Sequence, residues 1–233
     1  MNIFERIEAT TQADFEDHIR GSKLLEMLGS GRATRDQYVV YLREMHFLVR
    51  HTSRALALAA SRLEDGRRGL RSWLLDQAKD EHGHEQFCFK DIKQLGLDPA
   101  RVTDAFPGPG AWSFVTQNYY MAGYGEPAAL MGVASATEVM GARLAGPTAD
   151  SLVSVLGIPA AATSFLRSHA GFDKRHLQEV TTAINTFCDS EALFNQIVFS
   201  RRMSFRALGL LFGEVASSKE RFFRDGNGAA HAA

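Results

Sequence analysis

Between its glycine and proline breaks, the chain places apolar residues three or four apart rather than in alternation. That spacing lets helices, not strands, bury one side. The breaks are GSGRAT (29–34), EDGRRG (64–69), FPGPG (106–110), YGEP (124–127), LAGPTAD (144–150) and LGIPA (156–160). Thr34 with Gln37 three residues on reads as a capping box for a helix running to about Leu63. After LGLDPARV (95–102), Asp98-Pro99 opens a short further helical turn. There is no internal repeat and no convincing strand. The expected fold is therefore all-α: a compact single domain of seven to eight helices over residues 1–233, with about 225–233 as a frayed tail.

Composition removes several functional classes. The formal net charge is −1, without a long block of one sign, which argues against nucleic acid or an anionic membrane as the main partner. No apolar run approaches the ~20 residues that a membrane-spanning helix requires. The opening MNIFERIEATTQADFEDH carries early acids and lacks the apolar core of a signal peptide. Two cysteines, Cys88 and Cys188, make no disulfide framework. The expectation is a reducing, cytoplasmic protein whose partner is a small-molecule substrate, with no nucleic acid and no membrane.

The chemistry concentrates in a few polar residues on apolar helix faces. In HAGFDKRH, His169, Asp173 and His176 stand at i, i+4 and i+7, on one side of a helix. Phe165, Phe172, Leu177, Val180 and Ile184 share that side, so the line runs within a buried stripe. An aspartate there must be paired or bind a cation; a solvated helix edge or a self-satisfied Asp–His pair is the alternative. In KDEHGHEQF (79–87), a helical wheel groups Glu81 with Leu70, Leu74, Ala78, Cys88 and Ile92, and puts His84 at the edge of the same arc. Glu-x-x-His is the spacing used by carboxylate-bridged di-iron bundles. Glu138 is the lone charge in PAALMGVASATEVMGA (127–142), where an unpartnered carboxylate would be protonated or destabilising; an arginine from another helix or a metal would answer it. Within YLREMHFLVRHTSRALALAA (41–60), Glu44 and His51 border the apolar face. Glu44 is preferred as a ligand for charge balance, with His51 and His46 kept as outer candidates.

The inward set is thus Glu44, Glu81, His84, Glu138, His169, Asp173 and His176. Four carboxylates offset the charge of two ferrous ions, and imidazoles suit iron or manganese without thiolates. A structural zinc site would close with four ligands. A mononuclear centre of two histidines and one carboxylate would leave several buried acids without a role. The count favours two metals.

These motifs resemble the heme-oxygenase-like di-iron oxidases and oxygenases, a group within the larger TenA, PqqC and heme oxygenase-like superfamily. The resemblance spans roughly residues 10 to 217 and is carried by His-x-x-x-Asp-x-x-His at 169–176 and by Glu81, Gly83 and His84. Some relatives place the second histidine where this chain has Phe87, so the match is to the Glu-x-x-His variant. The resemblance implies a helical bundle with a central pocket, often a homodimer. It also implies two non-heme Fe(II) ions held by the residues above and dioxygen as co-substrate. Similar proteins cleave carbon–carbon bonds, oxidise amines, desaturate, or decarboxylate fatty acids, so an amino-acid-, amine- or fatty-acid-like substrate is expected.

Trp112, Phe114, Tyr119, Tyr120 and Tyr124 either line the substrate cavity or belong to the ordinary core. A rival is a metal-free TenA-like hydrolase acting on a thiamin-related pyrimidine through a cysteine nucleophile, with Cys88 as the candidate. A non-catalytic ligand-binding helical protein is a third reading.

The triplet can be tested directly. If Asp173 is a ligand, Asp173→Asn weakens iron binding while the apo fold melts as before or higher, because like-charge repulsion is relieved. If it serves an Asp–His pair, the apo protein loses about 1–3 kcal/mol and gains as much from Fe(II) as wild type. Thermal melts with and without Fe(II) separate the two.

Overall fold

In a computed structural model the protein is described over residues 1–223, with Phe172, Asp173 and Lys174 described by their backbone alone. The expected frayed tail at 225–233 lies outside the described residues. Asn2 and Glu5 form a capping box at the start of α1 (Ile3–Phe15), which a π-helical turn at Glu16–Arg20 prolongs. After the short α2 (Lys23–Gly29), the expected Thr34–Gln37 capping box opens α3 (Arg35–Arg62). Then follow α4 (Arg68–Asp80), α5 (Glu85–Gln94), α6 (Pro99–Thr103), α7 (Pro109–Gly123), α8 (Leu130–Met140), α9 (Gly146–Leu156), α10 (Ser164–Phe187) and α11 (Glu191–Ser217). No strand occurs among the described residues.

The count exceeds the expected seven to eight. A short helix such as the seven-residue α2 carries too few turns to announce itself by periodicity, whereas the five-residue α6 begins at Asp98-Pro99 as expected. Two further departures matter for function. KDEHGHEQF is not one helix: α4 ends at Asp80, residues 81–84 form a turn, and α5 begins at Glu85. Gly83 adopts a φ of 90°, which breaks the rod because residues with a Cβ rarely enter that region. Conversely LAGPTAD does not interrupt the chain. A π-helical turn at Gly141–Ala145 carries α8 into α9, and Pro147 falls in the first turn of α9, where a missing N–H costs least.

The two longest helices, α3 and α11, organise the packing. α3 lies against α4, α5 and α7, and α11 lies against α1, α7 and α8. α8 meets α11 so closely at Gly132 that an added Cβ would run into the Ile197 carbonyl and the Ser200 hydroxyl. Ser200 Oγ also donates to the Ala129 carbonyl at 2.6 Å, fixing the start of α8. α10 packs on α8 and α5.

The start of α10 is held by a residue from another helix. Asp91 of α5 is fully buried. Its Oδ1 accepts from Ser164 N at 2.8 Å and Ser164 Oγ at 2.6 Å, and its Oδ2 accepts from Phe165 N at 2.8 Å. It therefore satisfies amide groups that the first turn of a helix leaves without intrahelical partners. The same bonds set the position of α10, which carries His169 and His176. Asp91→Ala is expected to cost about 2–3 kcal/mol in denaturant unfolding, since it removes a cap and strands buried donors. Asp91→Asn, which keeps one acceptor, should cost less. An alanine variant as stable as wild type would show that the tether does not hold α10.

Candidate metal centre

Three elements converge on one interior point. The turn after α4 supplies Glu81 and His84, α8 supplies Glu138, and α10 supplies His169 and His176. Although Glu81 and His84 do not share a continuous helix, the turn keeps them adjacent, with His84 Nδ1 3.3 Å from Glu81 Oε2. His176, almost wholly enclosed, points Nδ1 at two carboxylates, 3.8 Å from Glu81 Oε1 and 3.7 Å from Glu138 Oε2. The rings of His84 and His169 stand edge to face with centroids 5.5 Å apart.

These side chains form two donor groups that could hold an ion each. One comprises Glu81, His84 and His169, the other Glu81, Glu138 and His176, and within each group the ligand atoms lie within 4.8 Å of one another. Glu81 belongs to both. The electrostatics agree with that placement. Burial pushes the Glu81 carboxyl up, but the hydrogen bond to His84 and the nearby His84, His169 and His176 imidazoles reverse this and leave it below its usual value. Burial lowers His169, which favours the neutral ring. The His169 Nδ1–H donates to the Phe165 carbonyl at 2.7 Å, so Nε2 keeps a bare lone pair for a ligand.

Glu44, the fourth carboxylate of the sequence-derived set, is not brought to this point. It is buried, but Oε2 accepts from Gly108 N at 2.8 Å and Oε1 from Arg43 Nε at 3.1 Å. The carboxylate faces the entry to α7, a neighbour that charge balance alone could not reveal. His51 instead shares a hydrogen bond of 3.0 Å between its Nδ1 and the Tyr119 hydroxyl. His46 lies against Phe89 with ring centroids 4.7 Å apart, and burial, aided by Arg50, lowers it to about 4. Neither histidine joins either donor group. The Asp173 side chain lies outside the described residues.

Asp80 and Glu179 were absent from the sequence-derived set, yet they form a further group with His176. Their signals were present: Asp80 precedes Glu81, and Glu179 stands three residues after His176 on one helix face.

Glu81, Glu138 and His169 open onto a cavity of about 160 Å³. Its walls are mainly apolar, with Leu24, Met45, Leu48, Val133, Leu152 and Phe212 among them. Of the five aromatic candidates only Phe114 lines it; Trp112, Tyr120 and Tyr124 are exposed, and Tyr119 packs against His51. Cys88 is fully buried outside the cavity wall, and burial, reinforced by Asp91, raises its thiol well above the usual range.

Comparison with known proteins agrees with the architecture. No curated protein matches the chain. Among solved structures, a domain of unknown function with a heme oxygenase-like fold from Shewanella denitrificans superposes with a TM-score of 0.83 at 21% identity, covering 91% of each chain. A TenA homologue from P. horikoshii gives 0.75 at 14% identity, covering 92% of this chain and 98% of its own. A TenA homologue from Pseudomonas syringae gives 0.76 at 14%, covering 91% of both. At these identities the likeness is one of fold. The family model described as iron-containing redox enzyme matches residues 39–209, nearly three quarters of the sequence and all of the elements that build the site. The chain belongs to the iron-containing redox enzyme family and has a heme oxygenase-like fold.

Proposed function

We propose that the protein is a non-heme di-iron oxidase or oxygenase that uses dioxygen to oxidise a small, largely apolar organic substrate. The observation that carries this reading is the pair of donor groups sharing Glu81 in the wall of a mainly apolar cavity. The donor chemistry fits iron: two carboxylates and three imidazoles, with no thiolate among them, suit Fe(II) or Mn(II). Glu81, common to both groups, would serve with His84 and His169 to hold one ion and with Glu138 and His176 to hold the other. Bound iron would supply the reduction of dioxygen and the oxidising power for the substrate.

The remaining work falls to the protein. The Phe165 carbonyl keeps the proton of His169 on Nδ1 and so keeps Nε2 available. Leucine and phenylalanine walls exclude water, which strengthens the electrostatic interactions inside. They also select the substrate. Among the described lining residues there is no lysine or arginine, and the charged ones are Glu81 and Glu138 at the metal end. An acidic head group therefore finds its counter-charge only at the ions, whereas a second charge along the chain would be buried unpaired. Of the amino-acid-, amine- and fatty-acid-like classes, the last fits best, with room for on the order of ten non-hydrogen atoms. The cysteine-hydrolase reading has less support, because its candidate nucleophile, Cys88, is fully enclosed away from the cavity wall and its thiol is raised.

Anaerobic loading with excess Fe(II) should give close to two irons per chain, and Glu138→Gln should lower this toward one. A wild-type stoichiometry that stays at or below one would reject the paired centre. For the substrate class, decanoate should bind the Mn(II)-loaded protein at least about tenfold more tightly than 10-aminodecanoate, whose ammonium would be buried without a partner. Ala134→Phe, which fills the cavity, should abolish decanoate binding and leave metal uptake unchanged. Equal affinity for the two acids would overturn the assignment of an apolar chain.

A further inference from the structure

His176 faces two different environments through its two ring nitrogens. Nδ1 points inward at Glu81 and Glu138, while Nε2 points outward to the partly exposed cluster formed by Asp80, Arg175 and Glu179. Arg175 Nη2 lies 2.9 Å from His176 Nε2 and donates to Asp80 Oδ2 at 2.9 Å. Arg175 Nε lies 3.5 Å from Glu179 Oε1, and Glu179 Oε2 in turn accepts from Gln77 Nε2 at 3.0 Å. Asp80 Oδ2 itself is 3.8 Å from His176 Nε2. Asp80, His176 and Glu179 form a donor group, but a guanidinium already stands among them, so a second cation there would have to expel Arg175.

The protons on this ring decide what the cluster does. An imidazole binds an ion through a bare lone pair, and a neutral ring carries its single proton on the other nitrogen. With Nδ1 turned to an ion between Glu81 and Glu138, the proton must sit on Nε2 and needs an acceptor. Arg175 has donors only, so it would set one N–H against another. Asp80 Oδ2, 3.8 Å from Nε2, is a carboxylate oxygen placed to take it. We infer that Asp80 is a positioning residue for His176: it takes the Nε2–H and thereby holds Nδ1 toward the inner carboxylates. Arg175 is the competing donor, which bridges Nε2 and Asp80 until ion binding displaces it. This rests on the proposed metal centre and adds to it a carboxylate–histidine pair of the kind that orients metal-ligating imidazoles.

Cobalt(II) titration of the apo protein tests the inference independently of turnover, read by the visible ligand-field bands and by the Tm gain on loading. Asp80→Ala should lower Co(II) affinity about 10- to 100-fold and change the bands, while the apo Tm stays within a few degrees of wild type. Asp80→Glu should recover most of the affinity. Arg175→Ala should bind Co(II) as tightly as wild type or more tightly, since the competitor is gone. A merely structural role for Asp80 would lower the apo Tm and leave affinity and bands alone, and that result overturns the inference. So does an Arg175→Ala variant that loses as much affinity as Asp80→Ala. If wild type takes up no Co(II), both the metal centre and the positioning role fall. If uptake is weakened by Glu138→Gln yet untouched by Asp80→Ala, only the positioning role falls.

Discussion

Placing two carboxylates beside three imidazoles in the interior of an apolar bundle is the constraint on which the remaining structure depends. Glu81 and Glu138 both approach His176 Nδ1 within 4 Å, at 3.8 and 3.7 Å. The carboxylate oxygens of this group lie within 4.8 Å of one another, and at that separation and an effective dielectric of about 20 two like charges repel by roughly 3–4 kcal/mol. Such a cluster is tolerable only if positive charge is supplied among its members. The imidazoles offset part of it, as the lowered Glu81 shows. A pair of divalent cations would offset the rest. The sharing of Glu81 between two donor groups gives that compensation a geometry.

Holding the cluster together requires that three elements be fixed independently of it. α8 is set against α11 by the close approach at Gly132 and by the bond from Ser200 to Ala129. α10 is set by Asp91, whose buried carboxylate closes the first turn of a helix to which it does not belong. The turn at 81–84 is set by Gly83, whose φ of 90° breaks the helical rod between α4 and α5. None of these three fixings involves a donor atom of the site. The scaffold therefore positions these side chains independently of their own contacts, which is what a preorganised site requires.

The cavity brings an apolar wall to the same side chains. Its charged groups, Glu81 and Glu138, stand together beside His176, while the rest of the described lining is uncharged and mainly apolar. A charged group placed away from Glu81 and Glu138 would find no opposite charge among the described lining residues.

Much of this was legible in the chain itself. The spacing of apolar residues determined an all-helical fold, Thr34 and Gln37 marked the start of α3, and the isolated acid in a small-residue helix marked Glu138. Five of the seven inward residues stand together because periodicity decides which face a residue occupies, and the buried faces of packed helices must meet. What periodicity cannot decide is which buried face meets which. Glu44 lies on an inward arc as expected, yet the tertiary arrangement turns it to Gly108 and Arg43. Glu81 and His84 were read on one helical wheel, but a left-handed glycine puts them in a turn, and their proximity survives because the turn is tight. Asp80 and Arg175, 95 positions apart in sequence, become neighbours only through the packing of α4 on α10. Local spacing fixes the direction of a side chain relative to its own helix axis; the neighbour across the gap is set by the rotation and offset of a second helix, which long-range packing alone determines.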